Sequence, residues 1–112
     1  MAIKNQEKFI ELITKKEKAI EAGNAKIANI NYDKISKIVE EWREDPEVDL
    51  RELEPLLEHE EDYVKYSTAF VLIPILPEKA ENVLETLASK RGNVSFDARM
   101  LLQEWRKGNL KF

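Results

Sequence analysis

His59-Glu60-Glu61-Asp62 is the densest run of side chains in this 112-residue chain that could hold a metal ion or move a proton. Its carboxylates and imidazole could ligate a divalent cation, which takes oxygen ligands readily. Consecutive side chains diverge, however, and converge on one ion only where a glycine-shaped loop folds them together. The run therefore reads as a solvated turn between two helices. His59 is the only histidine and there is no cysteine, which excludes a Cys-His nucleophile pair and a multi-histidine metal site. None of the motifs GxxxxGK, GxGxxG, HExxH or GxSxG occurs. Many carboxylate pairs could in principle do acid–base work, but all lie in highly charged, solvated stretches where nothing raises a pKa. The expectation is a non-catalytic protein with no metal and no cofactor.

Charge carries more information than any motif. The net charge is −4, yet residues 1–39 hold eight Lys against five acids, a net of +3, and residues 63–112 hold eight Lys or Arg against five acids, again +3. The segment from Glu40 to Asp62 holds twelve acids against Arg43 and Arg51, a net of −10. Part of that acidity is a solvated face and part belongs to helix starts, where the dipole favours carboxylates. The rest suits a docking surface for a basic protein, because a field of one sign speeds encounter and selects partners. The residues assigned to that surface are Glu44, Glu47, Glu58, Glu60, Glu61 and Asp62, with Tyr63 as an aromatic anchor beside them. Nucleic acid is excluded as the ligand, since its phosphates would be repelled. The other large aromatics, Tyr32, Tyr66, Trp42 and Trp105, fall on apolar stripes and are assigned to the core.

The elements that must position these residues are helical. Only three glycines and four prolines punctuate the chain, and 43% of residues are hydrophobic, a composition that favours helix over a glycine-punctuated β-fold. No apolar run approaches the ~18 residues of a membrane span, and the N-terminus lacks the apolar stretch of a signal peptide. Without cysteine there is no disulfide framework. A cytoplasmic protein with no membrane association is the expectation.

Apolar spacing predicts six helices. The first covers Asn5–Ala22, with Phe9, Leu12, Ile13 and Ile20 on its stripe and Ala19 alongside. Gly23 ends it and Asn24 caps the second, Ala25–Arg43, whose stripe is Ala28, Tyr32, Ile35, Ile38, Val39 and Trp42. Asn31, at the edge of that stripe, needs a partner if it is buried. Pro46 ends the second helix by holding Asp45 out of helical geometry. Asp49 and Glu52 have the spacing of a capping box for a short third helix, kinked at Pro55. The fourth, Val64–Leu76, is the most apolar stretch and the expected centre of the fold. Asp62 is its expected cap, Ile75 widens its buried surface, and Pro74 requires it to fray, kink or end between Ile73 and Leu76. Pro77 opens the fifth, which Gly92 stops; Lys90 and Arg91 complement its carbonyl end. The sixth begins near Asn93 or Ser95, with Phe96 and Met100 joining its stripe.

Two segments echo each other. Leu53–Leu57 followed by Ala69–Ile73 matches Val83–Ala88 followed by Ala98–Leu102, and a small alanine stands at the same place in each second helix. Leu53-x-Pro55-Leu56-Leu57, the acidic turn, Asp62-x-Val64-Lys65 and Ala69-x-x-Leu72 resemble a HEAT-type repeat. The second unit departs from it, with Asn93-Val94 where a Val-Arg/Lys pair belongs. The whole chain resembles small bacterial HEAT-like helical domains of unknown function, on Asn24–Trp42, Tyr66–Leu76, Ser95–Ala98 and Glu104-Trp105-Arg106-x-Gly108. Some proteins of this kind are similar to immunity proteins that neutralise bacterial toxins. The resemblance implies a single all-α domain of stacked antiparallel hairpins, a HEAT-like α-solenoid fragment. Residues 5–43 form an N-terminal hairpin, 49–76 a first repeat and 77–108 a second. The expected function is protein binding, in its most concrete form an immunity-type inhibitor that docks a basic partner such as a nuclease toxin. The rival expectation is a structural, oligomerisation or accessory module.

Overall fold

The computed structural model describes residues 3–110. Among these the chain is all-α, with six helices: α1 (Gln6–Glu21), α2 (Ala25–Glu44), a 3-10 helix (Leu50–Glu58), α3 (Asp62–Leu72), α4 (Pro77–Ala88) and α5 (Asn93–Arg106). Neighbouring helices pack as antiparallel-type hairpins do, α1 on α2, α3 on α4 and α4 on α5. The chain divides into two compact units, residues 1–52 and 53–112.

In the first unit the turn between α1 and α2 takes almost no chain. Gly23 sits at φ 73°, in the left-handed region where a Cβ would be strained. Its N–H donates to Ile20 O (3.0 Å) and that of Asn24 to Ala19 O (2.8 Å), the paired bonds of a Schellman motif. The Asn24 side chain then accepts from Ile27 N at 3.1 Å, so one residue closes α1 and opens α2. Phe9, Leu12, Ile13 and Ala19 of α1 are buried, as are Ala28, Ile38, Val39 and Trp42 of α2. The Phe9 and Trp42 rings stand 5.1 Å apart, tilted at 56°. Trp42 Nε1 donates to Lys4 O (2.8 Å), which ties the end of α2 to the chain before α1. Asn31 is buried and finds its partner in its own helix, donating to Ile27 O at 3.1 Å. Two stripe residues are not core: Ile20 is 41% exposed and Tyr32 56%.

The 3-10 helix replaces the kinked α-helix expected around Pro55. Proline lacks the N–H that an α-turn needs, and its ring obstructs the carbonyl four residues back; the segment takes the tighter i→i+3 pattern throughout. The capping box does not form either. Asp49 Oδ1 accepts from Arg51 N (3.0 Å) and from Arg51 Nε (3.1 Å), not from Glu52. Leu53, Leu56 and Leu57 are buried.

In the second unit α3 packs against α4 and α5. Val64, Ala69 and Leu72 are fully buried, as is Ile73 just past the helix end. The helix stops at Leu72, and Ile75 N and Leu76 N both return to Leu72 O. That is one residue earlier than the window set by Pro74. Ile75 lies 39% exposed outside the core. Glu61, not Asp62, is the N-cap of α3, and it makes no side-chain capping bond. Pro77 is the first residue of α4, as its fixed φ favours. Gly92 does not stop α4, which ends at Ala88; it precedes α5 with φ 100°. Ser95 Oγ donates to Ala88 O (2.9 Å) and clips the start of α5 to the end of α4. Ala69 and Ala98 both have no exposed surface, which lets neighbouring backbones approach closely. Phe96 and Met100 do not join the α5 stripe; they are 58% and 41% exposed.

Candidate protein-docking surface

The acidic segment crosses the division between the units. Glu44 and Glu47 belong to the first unit, and Glu58, Glu60, Glu61, Asp62 and Tyr63 to the second. Glu44 is the last residue of α2. Pro46 holds Asp45 extended, and the Asp45 carboxylate accepts from Glu47 N at 2.9 Å, a local turn that leaves the Glu47 side chain exposed. The Asp49 carboxyl is held below its ordinary range by hydrogen bonds from the Arg51 side chain and backbone.

In the second unit the loop between the 3-10 helix and α3 has two halves. Glu58, Glu60 and Glu61 are exposed, and among the described residues none of their carboxylates forms a salt bridge. His59 Nδ1 accepts from Glu61 N at 3.0 Å and shapes the turn. Among the described residues no three of His, Asp and Glu are grouped as a metal site requires.

Asp62 and Tyr63 are used inside the fold. Lys90 Nζ donates to both Asp62 oxygens at 2.9 and 3.1 Å, and Lys65 lies 3.7 Å from Oδ1. The Tyr63 hydroxyl donates to Asp97 Oδ2 at 3.1 Å, and its ring meets Tyr66 edge-on at 6.1 Å. These contacts tie the start of α3 to the α4–α5 corner. The corner between the 3-10 helix and α3 thus has a root pinned at the first two residues of α3, 62–63, and a charged tip at 58–61. Lys90, expected to complement the carbonyls of its own helix, serves this root instead.

Three surface features escaped the sequence reading. A groove of about 480 Å³ is lined by Lys16, Ile20, Gly23, Ala25, Ala28, Asn29 and Tyr32, with the Lys16 ammonium 5.6 Å from the Tyr32 ring centroid. A smaller groove of about 190 Å³ is lined by Leu57, Lys65, Asn82, Val83, Thr86 and Leu87. The third is the exposed Phe96–Met100 pair. All three involve residues that fit an apolar stripe by spacing, and periodicity does not say which part of a stripe a neighbour covers.

No described helix is long and apolar enough to cross a membrane. Neither a family model, nor a curated protein, nor a solved structure matches this chain.

Proposed function

We propose that this protein is a non-catalytic, HEAT-like binding module that docks a basic protein partner through its acidic segment. One observation carries the reading: within a stretch of net charge −10, Glu58, Glu60 and Glu61 stand exposed and, among the described residues, without salt bridges, beside a root that is pinned. A charged tip on a rigid root presents its field without first being ordered, which lowers the entropic cost of docking. Glu44 and Glu47, exposed in the first unit, carry the same sign of charge. Asp62 and Tyr63 act mainly by holding the loop. The concrete form of this reading is an immunity-type inhibitor that covers the cationic, substrate-gripping face of a toxin such as a nuclease.

Co-purification from native lysate, followed by binding measurements with each purified candidate, tests it. A basic protein is expected to be retained, with affinity that falls as salt rises and drops at least roughly tenfold in the Glu60→Lys, Glu61→Lys double variant. Retention of no basic protein, or binding indifferent to both changes, rejects the reading.

A further inference from the structure

We propose that the chain also associates with itself head to tail, the Phe96–Met100 face of α5 in one copy seating in the Leu57–Val83–Leu87 groove of the next, beside its acidic loop. Both halves of this contact lie in residues 53–112. Phe96 and Met100 are one turn apart, and Arg99, Gln103 and Lys107 continue the same face at three- and four-residue spacing. All five are exposed. Among the described residues neither Arg99 nor Lys107 forms a salt bridge, unlike Arg106, which pairs with Glu81 at 3.2 Å and Glu85 at 2.6 Å. The two acids of α5 are turned to other work, Asp97 accepting from Tyr63 and Glu104 from Asn109. The outer face is therefore aromatic and thioether at its centre and cationic at its rim, the composition that protein interfaces favour.

The groove offers the complement. Its volume is about 190 Å³, and an apolar cavity of about 150 Å³ is enough to hold benzene, so one phenyl ring can enter. Two wall residues adjoin the acidic tip along the chain: Leu57 immediately precedes Glu58, and Lys65 lies one helical turn after Glu61, its N–H donating to Glu61 O at 3.2 Å. Lys65, the cation in the wall, lies against Asp62. Neither Phe96 nor Met100 lines the groove of its own chain. The two patches differ, so the contact is heterologous and propagates from copy to copy. The inference rests on the acidic loop being a docking surface and names one cationic face that it accepts.

Sedimentation of the full chain at increasing concentration tests the contact. The mean mass is expected to rise above that of the monomer, and less so at high salt. Phe96→Ser with Met100→Ser removes the knob, and Thr86→Trp fills the groove; all three positions are exposed, so circular dichroism should be unchanged. Each variant alone should associate at least roughly tenfold more weakly, as loss of a central anchor does. Mixed, they should form a one-to-one dimer, since each keeps the half the other lacks. Monomers at several hundred micromolar, association that survives both variants, or a mixture that stays monomeric would each overturn the proposal. If Glu60→Lys with Glu61→Lys still abolishes capture of a basic protein while the chain stays monomeric, the self-contact falls and the docking reading stands. If capture is also unchanged, both fall.

Discussion

In residues 1–52 two helices of 16 and 20 residues meet along long apolar stripes, and their polar side chains mostly bond within one helix. Thr14 Oγ1 returns to Ile10 O, Asn31 to Ile27 O, and Lys15 to Glu11. In residues 53–112 no α-helix exceeds 14 residues, and polar side chains reach from one element to another. Lys79 of α4 pairs with Glu54 of the 3-10 helix, Lys90 with Asp62, Tyr63 with Asp97, Arg106 with Glu81, and Ser95 with Ala88 O. The contrast follows from element length. A long stripe fixes the angle and register of its partner by itself, whereas a three-turn helix makes too few apolar contacts and gains definition from directional bonds at its ends.

Truncating the anchor of the first unit should cost most. Trp42→Ala removes the Phe9 contact and the bond to Lys4 O, and is expected to cost about 3–5 kcal/mol, read as a fall in denaturant midpoint with unchanged slope. Overpacking the second unit comes next: Ala69→Leu or Ala98→Leu should each cost about 1–3 kcal/mol in the same measurement. The comparison is sharpest in a matched pair of hydroxyl deletions. Ser95→Ala breaks a bond between two elements and should cost about 1 kcal/mol, whereas Thr14→Ala removes a bond within one helix and should be nearly neutral. If the two costs are equal, the contrast drawn above is wrong. Thr68 gives an effect of opposite sign. It is fully buried in α3 and its Oγ1 has no hydrogen-bond partner among the described residues, so Thr68→Val, which keeps the shape, should be neutral or stabilising.

The smallest effects are those of pH. Glu11 is held below its ordinary range by the Lys15 hydrogen bond and charge, and Asp49 by Arg51. A carboxyl depressed in the folded state adds stability above the unfolded carboxylate range and loses it as pH falls through the lowered folded value. Both groups are exposed and screened by solvent, so the loss should be slight. Carboxyl NMR titration in Lys15→Gln should show Glu11 moving up while Asp49 stays in place.

The helix boundaries at Gly23, Asn24, Pro46 and Pro77 were legible because they rest on single residues with local physics, whereas those assigned to Asp49, Asp62 and Gly92 were not. Gly23 needs positive φ, Asn24 offers a cap oxygen, Pro46 restricts Asp45, and Pro77 fits a first turn. The buried Asn31 and the small residues Ala69 and Ala98 could be read for the same reason. Periodicity gives the direction of a side chain around its helix but not whether a neighbour stands there. Ile20, Tyr32, Ile75, Phe96 and Met100 were therefore assigned to a core that does not cover them. The acidic run was visible as composition. Its division into a pinned root and an exposed tip was not, because Lys90 and Asp97 reach it from 28 and 34 residues away.

The 3-10 helix also sets a length. At about 2.0 Å per residue its nine residues extend roughly 18 Å, against roughly 13.5 Å for the same residues wound as an α-helix. Pro55 is therefore a spacer as well as a helix breaker. A substitution that let this stretch rewind would shorten it by about a quarter. It would also move Leu56 and Leu57 to new positions around the axis, since three residues per turn would become 3.6. Both the reach of this segment and the direction its leucines face thus hang on one missing N–H.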